Sequence, residues 1–459
     1  MHANIAALCC AVGIVGLFWL NREKTGRPSW AEWPAVVWLS IAGSRAVGRW
    51  LQPGAVANTD AAYMDGSSID RTILSLLLAV GLVVLANRGR RVGAMLWANP
   101  AVVGYFLYCG VSILWSDYPI VGLKRWFRGI GDLVMVLVIL TERNPGAAFQ
   151  RIFARVGFLL LPTSIVLIKY FPAFGRDYHH SSGLVMYTGV STQKNNLGET
   201  CVIYGLIAAW RLLIMWRGGD GGRRKGPLIA QGAALAMATY LLWLSNSKTS
   251  LSCLILAGGL MAAVSTSAFA RKPAVLHLLV FLLVAIPSAV LFLGVGGGAL
   301  ESLGRDETLT GRTDIWRVAL KYDDNPLIGA GYETFWLGSR LSAFAGEIGV
   351  AFNQAHNGYL EIYLNLGWVG VTLIGVLIAT GYRNIVGRVR QDPVACSLAL
   401  AYFVVAIVYN FTEAGFKMMA SVWIAFLLVI MADSHHRSHS TRFKKNTDSF
   451  QNDQPAVAH

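Results

Sequence analysis

The chain has 459 residues, of which 55% are hydrophobic and 14% charged, and its formal net charge is +14. Soluble globular proteins carry about 25% charged residues, so this composition argues against a soluble protein. The basic residues are concentrated in loops between long apolar runs, which favours membrane insertion over nucleic-acid binding as the reason for the positive charge.

Thirteen apolar runs predict an all-α, polytopic membrane protein, because backbone exposed to lipid must satisfy its hydrogen bonds within its own helix. In chain order the runs are 3–20, 33–50, 71–87, 98–115, 126–141, 156–171, 197–216, 228–245, 250–269, 274–296, 364–382, 394–411 and 416–432. Arginines interrupt the second and fifth runs, so twelve or thirteen spans are expected. The first run lacks a small-residue cleavage site and is expected to remain as a helix.

The basic residues cluster in alternate loops, and the positive-inside rule assigns such loops to the cytoplasm. This places the N-terminus outside, the C-terminus in the cytoplasm, and residues 297–363 in a large periplasmic segment, here called the outer loop. We expect residues 1–432 to form one integral membrane domain in a bacterial inner membrane. Residues 433–459 are polar and predict a disordered cytoplasmic tail.

Two outer segments place a lysine at membrane depth, where ionisable side chains are costly and usually functional. Lys194 begins the seventh run in the stretch QKNNLG, with Asn195 and Asn196 as expected helix caps. A cation at a helix N-terminus opposes the helix dipole unless an anion lies beside it. Lys248 lies in a short loop between two runs, LSNSKTSLS. The structural alternative for Lys194 is a side chain that snorkels to the interface.

The outer loop contains a predicted surface helix from Thr313 to Tyr322, with Arg312 at its start. An arginine side chain can bind two phosphate oxygens at once, while pairing with Asp314 or a lipid phosphate is the structural alternative. Further cations on the outer side violate the positive-inside trend, and an anionic ligand would explain them. They are Lys124, Arg125 and Arg128.

His356 and Asn357 stand at the mouth of the eleventh run. The outer cations suit a lipid-linked diphosphate, which they would bind and stabilise as a leaving group. A neutral imidazole nearby can accept a proton from an attacking hydroxyl, although a single histidine is more often structural. No metal-ligand spacing or phosphate-binding loop occurs, so neither a metal nor a cofactor is expected.

His356 and Asn357 are followed by nine residues and then by Gly367-Trp368-Val369-Gly370. This spacing resembles the signature of the O-antigen ligase and polysaccharide polymerase superfamily of Wzy/WaaL-like membrane glycosyltransferases. The likeness is greatest to ExoQ-like exopolysaccharide polymerases and is strongest over residues 185–375. The stretches QKNNLG, GRTDIW and NPLIGAGYETFW, at 193–198, 311–316 and 325–336, are also similar to the family.

This resemblance implies a GT-C-like, inverting and metal-independent glycosyltransferase that acts on undecaprenyl-diphosphate-linked oligosaccharide. A chain-length regulator and a flippase of the same pathway are the expected partners. The implied catalytic residues are His356 and Arg312. The resemblance implies Lys194 and Lys248 as diphosphate-binding residues, and the distribution of charge adds Arg128, Arg125 and Lys124. The expected orienting residues are Asn357, Asp314 and Glu361.

Three alternatives stay open at this point. A ligase that moves the finished glycan to lipid A-core or another acceptor differs from a polymerase only in its acceptor. A transporter or flippase of lipid-linked glycans would use the cations for binding alone, although transporters usually bind substrate at mid-membrane. A structural subunit of an export complex is the third alternative.

Overall fold

A computed structural model describes residues 2–22, 29–51, 66–178, 183–217, 225–266, 272–292, 307–349 and 354–432. The predicted tail at 433–459 and the first part of the outer loop lie outside these residues. The described chain is almost entirely helical, which confirms the prediction of an all-α polytopic membrane protein.

The helices are α1 (Ala3–Leu20), α2 (Glu32–Ala42), α3 (Val47–Leu51), α4 (Ser68–Ala86), α5 (Gly89–Ala98), α6 (Pro100–Val111), α7 (Pro119–Leu140), α8 (Pro145–Tyr170), α9 (Pro172–Gly175), α10 (Lys194–Arg217), α11 (Lys225–Ser245), α12 (Lys248–Val264), α13 (Pro273–Phe292), α14 (Glu307–Lys321), α15 (Gly338–Ile348), α16 (Gly358–Val389), α17 (Pro393–Tyr409) and α18 (Ser421–Met431). A 3-10 turn at Ser112–Trp115 follows α6. Two short antiparallel strands, β1 (Arg176–Tyr178) and β2 (Val185–Tyr187), form a hairpin before α10.

Each predicted apolar run overlaps at least one helix, but the second run is divided between α2 and α3, and not every helix is long. Among the described residues, six helices are long and apolar enough to cross a membrane, or seven if α5 and α6 form one span bent by 91°. Four shorter apolar helices, in α12, α13, α17 and α18, add to these. The predicted number of twelve or thirteen spans therefore stays a prediction.

The centre of the bundle is formed by the last helices of the chain. Every residue of α18 is buried, and α17 is buried along most of its length and packs against α10, α12, α16 and α18. A helix that is apolar on all sides belongs in a protein core or in lipid. By contrast, α1 buries only Ala6 and lies at the periphery, against α8 and α11.

Arg45, one of the arginines in the second apolar run, is hydrogen-bonded to backbone carbonyl groups elsewhere in the chain. Helix α2 ends at Ala42, and the Arg45 side chain donates hydrogen bonds to the carbonyl oxygens of Phe174, Gly189 and Ser191 at 2.5, 3.0 and 2.8 Å. The guanidinium group therefore holds the segment on either side of the β-hairpin against the bundle.

A buried carboxylate also joins α2 to α8. The Glu32 side chain is fully buried, and it accepts hydrogen bonds from Arg151 and, at 2.9 Å, from Arg155. Removing one partner of a buried ion pair leaves the opposite charge unpaired in a medium of low dielectric constant.

The substitution Glu32→Gln is expected to lower the free energy of unfolding by about 3 kcal/mol, because both arginines lose their counter-ion. Denaturation in mixed detergent micelles measures this change. The control is Asp117→Asn, since the Asp117 side chain pairs with Arg340 but is 60% exposed. For that exposed pair the expected loss is below about 1 kcal/mol. Equal losses of unfolding free energy in the two variants would contradict the prediction that the buried Glu32 pair contributes more than an exposed pair.

Helix α16 is broken within the predicted Gly-x-x-Gly motif. Gly367 has a φ of +63°, and the outer-loop residues 326–331, here called the docking segment, lie against the break. Four backbone hydrogen bonds of 2.9 to 3.1 Å join the two, namely Ala330 N to Leu364 O, Gly331 N to Asn365 O, Trp368 N to Pro326 O and Val369 N to Leu327 O. The interruption of a helix in a membrane is tolerated when other protein groups satisfy its backbone.

Glycine is required on both sides of this contact. A Cβ atom on Gly367 would lie 2.3 Å from the carbonyl carbon of Leu327, and one on Gly329 would lie 2.4 Å from that of Asn365. The two motifs that resemble the family, NPLIGAG and Gly-x-x-Gly, are therefore the two halves of one backbone interface. This interface fixes the outer loop relative to the turn that carries His356.

Candidate active site

Three side chains from distant parts of the chain converge on Glu413. Arg312 Nη2 and Asn195 Nδ2 donate to Glu413 Oε1 at 2.8 and 2.6 Å, and His356 Nδ1 lies 3.3 Å from Oε2. The Glu413 side chain is only 5% exposed. A buried carboxylate is stable only when it is paired and hydrogen-bonded, as it is here. We call these four residues the Glu413 cluster.

Glu413 is positioned by the segment 410–420 between α17 and α18. The Asn410 side-chain oxygen accepts hydrogen bonds from the backbone N–H groups of Gly415 and Phe416, both at 2.8 Å. The Asn410 carbonyl accepts from Gly358 N at 2.8 Å, and a Cβ on Gly358 would lie 1.7 Å from Asn410 Oδ1. The turn that carries Glu413 is thereby held against the start of α16.

The turn before α16 gives His356 its orientation. Asn357 caps the helix, since its side-chain oxygen accepts from the N–H groups of Tyr359 and Leu360 at 3.0 Å each. His356 itself has a φ of +51°, in the left-handed region. Such residues are strained by about 1–3 kcal/mol and are concentrated at functional sites.

The contact with Glu413 favours one imidazole nitrogen as the base. A carboxylate only accepts hydrogen bonds, so the tautomer that pairs with Glu413 has its proton on His356 Nδ1 and its lone pair on Nε2. The Gln354 amide, a donor 3.4 Å from the same Nδ1, would pair with the other tautomer over a longer distance. The arrangement of a basic nitrogen backed by a carboxylate on the opposite ring nitrogen is that of a general base.

Two glutamines and a lysine extend the cluster. Gln354 Nε2 lies 3.3 Å from Gln193 Oε1 and 3.4 Å from His356 Nδ1, and Lys417 Nζ donates to Gln354 Oε1 at 3.0 Å. These contacts connect the QKNNLG stretch, the His356 turn and the segment 410–420.

The two predicted lysines lie at helix starts that meet the cluster. Lys194 is the first residue of α10, immediately before Asn195 of the cluster. Lys248 is the first residue of α12, and the next residue, Thr249, is hydrogen-bonded through its hydroxyl to Thr412 at 2.8 Å. Two helices that each begin with a lysine therefore start beside residues that contact Glu413 or its turn, and helix N-termini attract anions.

The asparagines after Lys194 do not have the predicted capping role. Helix α10 begins at Lys194, so Asn195 and Asn196 lie inside its first turn. The Asn195 side chain instead donates to Glu413. The prediction was wrong because it placed the helix start after the asparagines.

The helix around Arg312 also begins earlier than predicted. It starts at Glu307 rather than Thr313, so Arg312 lies within α14. Asp314 does not reach the cluster and pairs at the surface with Arg317 at 3.2 Å. Residues two apart on a helix face different directions, which is why Arg312 turns to Glu413 while Asp314 turns to solvent.

Glu361, the other expected orienting acid, supports the histidine turn from behind. Its buried carboxylate accepts a hydrogen bond from Trp336 Nε1 at 2.9 Å and another from the N–H of Ala355, the residue before His356. Glu361 thus links the turn before His356 to Trp336 of the outer loop. Neither of these two hydrogen bonds involves the imidazole.

The remaining cations lie on α7, next to the outer loop. Arg125 donates to the carbonyl oxygen of Glu333, and Lys124 and Arg128 flank it on the same helix. Burial raises the pKa of the Glu333 carboxyl group, while the nearby cations of Lys417 and Arg125 oppose this effect. The contact with Glu333 places Arg125 at the outer loop, whereas the Arg128 guanidinium group lies near Gly66, before α4. The part of the three cations in diphosphate binding stays a prediction.

Glu413 was absent from the residues predicted to form the site. It stands in the stretch NFTEAGFK between the last two apolar runs. An acidic residue next to membrane spans is itself a signal of function, and this signal was available in the sequence.

Comparisons with known proteins agree with the resemblance seen in the sequence. Residues 233–375 match the model of a family described as O-Antigen ligase. The chain is also 26% identical over 308 residues to the exopolysaccharide production protein ExoQ of Rhizobium meliloti (strain 1021). That alignment covers 63% of this chain and just under two thirds, 66%, of the relative. The matched family region includes Lys248, Arg312 and His356 and ends before Glu413.

Proposed function

We propose that this chain, which carries an O-antigen ligase domain at residues 233–375, polymerises undecaprenyl-diphosphate-linked repeat units of an exopolysaccharide. The family match and the similarity to ExoQ support a role in polysaccharide biosynthesis on a lipid-linked substrate in the membrane. The observation that carries the proposal is the convergence of Arg312 and His356 on one buried carboxylate, Glu413.

In the proposed reaction, a hydroxyl group of the acceptor sugar attacks the anomeric carbon of the donor glycan. His356 Nε2 takes the hydroxyl proton as the new glycosidic bond forms. The bond between the anomeric carbon and the diphosphate oxygen breaks, and undecaprenyl diphosphate leaves with the electron pair. Attack from the face opposite the leaving group inverts the anomeric configuration, and none of these steps requires a metal ion.

The developing charge on the diphosphate is stabilised by fixed cations. Arg312 uses one donor for Glu413 and retains others of its five N–H groups for phosphate oxygens. Lys194 and Lys248 add positive charge at the starts of α10 and α12. Such pre-oriented charges are effective because they need no rearrangement during the reaction.

Glu413 acts through its two partners and touches neither substrate in this proposal. One oxygen holds His356 Nδ1 and stabilises the imidazolium that forms after proton transfer, and the other aligns Arg312. Asn195 keeps the carboxylate in place.

We place this site on the periplasmic face of a bacterial inner membrane, within a single membrane domain of residues 1–432. The basic loops on the opposite side support this orientation. A flippase that delivers the repeat unit and a regulator of chain length are the proposed pathway partners.

A ligase is the second candidate, supported by the description of the matched family. The same chemistry would then transfer the finished glycan to lipid A-core or another acceptor. Transport receives less support, because transporters bind substrate at open ends of broken helices. The break in α16 is instead closed by the docking segment.

The test uses purified protein in detergent with the lipid-linked repeat unit as the sole substrate, and a gel ladder of product lengths as the readout. We expect the wild type to make a ladder and His356→Ala to lower its rate by about 10²- to 10⁴-fold, the usual contribution of a general base. The control is His277→Ala, since His277 is hydrogen-bonded to Tyr382 on α16 and has no place in the mechanism.

Product that appears only when a separate acceptor is added would replace the polymerase by the ligase. Full activity of the His356 variant would overturn the role of the imidazole. If neither protein makes product with or without an acceptor, transport or an export-complex role takes precedence.

A further inference from the structure

A cavity of about 170 Å³ lies far from the Glu413 cluster, at the bend between α5 and α6. Asn99 and Pro100 line it from the bend, Thr380, Arg383 and Asn384 from α16, and Ile430 from α18. We call it the bend cavity. It lies at the ends of α16 and α18 opposite the proposed active site, on the face predicted to be cytoplasmic.

The bend cavity contains a cation, Arg383, that has no counter-ion among the described residues. Arg383 is exposed, and across the described parts of the chain it makes no hydrogen bond or ion pair. Asn384, also exposed, adds an amide donor beside it. A guanidinium group presents a planar set of donors that fits the oxygens of a phosphate. This cavity therefore has the charge and the hydrogen-bond donors to bind an anion.

Helix α5 has the features of a helix that lies in the membrane surface. It is bent by 91° from α6, so it runs along the surface if α6 crosses the membrane. Its apolar residues Val92, Met95 and Leu96 pack towards the core, while Arg90 is exposed and Trp97 is 87% exposed. Basic residues and tryptophan on such a helix are typical of the headgroup region of a bilayer.

The helices beside the cavity also expose apolar side chains. Helices α6 and α16 pack against each other, and Leu107, Val111 and Val376 are 60%, 51% and 41% exposed. These side chains offer an apolar surface for acyl chains next to a cation at headgroup depth. A ligand with both an anionic group and acyl chains matches these features better than a soluble anion.

We propose that the bend cavity binds the phosphate headgroup of an anionic phospholipid, with Arg383 as its principal ligand. Because Arg383 has no negative partner among the described residues, the cavity favours a lipid with net negative charge over a zwitterionic lipid, whose own cation would face Arg383. Basic pockets between helices on the cytoplasmic side of membrane proteins suit such headgroups.

The test exchanges purified protein into an equimolar mixture of phosphatidylglycerol and phosphatidylcholine of equal chain length, and native mass spectrometry counts the retained lipids. We expect the wild type to retain phosphatidylglycerol about fivefold over phosphatidylcholine, the preference that one basic residue near the surface provides. Arg383→Gln should bring this ratio close to one, and Asn384→Leu should lower it. The control Arg143→Gln removes an exposed arginine in another loop and should leave the ratio unchanged.

Equal retention of the two lipids by the wild type would overturn the proposal, as would a wild-type ratio in Arg383→Gln. Displacement of phosphatidylglycerol by inorganic phosphate would show a free-anion site and overturn the lipid assignment. Gel filtration confirms that each variant is folded, and Asn384→Leu provides the test if Arg383→Gln is not. The readout is independent of glycosyl transfer, so failure here leaves the proposed function unaffected.

Discussion

Replacing Glu413 with glutamine is expected to lower the initial rate of polymerisation by about 10²- to 10⁴-fold, as is usual when a general base loses its function. The amide has the size of the carboxylate but no charge. It cannot accept hydrogen bonds from both Arg312 and His356 with the strength of an anion, and its NH2 group would oppose one of these donors. The rate of ladder formation from the lipid-linked repeat unit measures the effect.

The matched control is Glu347→Gln, because Glu347 is an exposed carboxylate in the outer loop, which also carries Arg312, and it pairs with Lys321. We expect this variant to retain wild-type activity. A second variant, Glu413→Asp, keeps the charge on a shorter side chain and should recover part of the activity lost in Glu413→Gln. A shift in the pH profile of Glu413→Gln would indicate that Glu413 acts through His356, since a purely structural defect would lower activity equally at every pH. Wild-type activity in Glu413→Gln would disprove the positioning role.

The substitution Gly367→Ala is expected to lower the free energy of unfolding by at least about 2–3 kcal/mol, through backbone strain and steric overlap. The added Cβ would lie 2.3 Å from the carbonyl carbon and oxygen of Leu327, and the φ of +63° disfavours any side chain. The docking segment must then move away from the break in α16. Thermal unfolding in detergent measures the loss.

The control for this prediction lies two turns further along the same helix. A Cβ on Gly375 would have no neighbour within 4 Å. Gly375→Ala is therefore expected to preserve stability or to increase it by up to about 1 kcal/mol, as in an ordinary helix. If both variants lose equal stability, the helix as a whole, and not the break at Gly367, is sensitive to substitution.

Much of the fold could be predicted because spans are determined by local composition. Runs of apolar residues indicated most of the helices, whereas the capping role of Asn357 was not predicted, because α16 begins at Gly358, ahead of its apolar run. The bend at Asn99-Pro100 was not predicted, although proline disfavours the helical conformation in the residue before it. The predicted run 98–115 begins at the bend, so the residues of α5 (Gly89–Ala98) were assigned to the loop between two runs.

Only those site residues that lie in recognisable sequence motifs could be predicted. His356 and Arg312 stand in recognisable stretches, whereas their partner Glu413 is 57 residues beyond His356 and in a different turn. Contacts between residues so far apart in sequence depend on how α17 and α18 pack, so local sequence patterns do not predict them. The prediction turned instead to Asp314, which is close in sequence but faces solvent.

The position of Glu413 also determines when the site is complete. Ribosomes release the chain from its N-terminal end, so α10, α12, α14 and the His356 turn are synthesised before the segment 410–420. Until that segment arrives and α18 fills the centre of the bundle, Arg312 and His356 lack the carboxylate that joins them. The order of residues along the chain thus delays completion of the site until the segment 410–420 has been inserted.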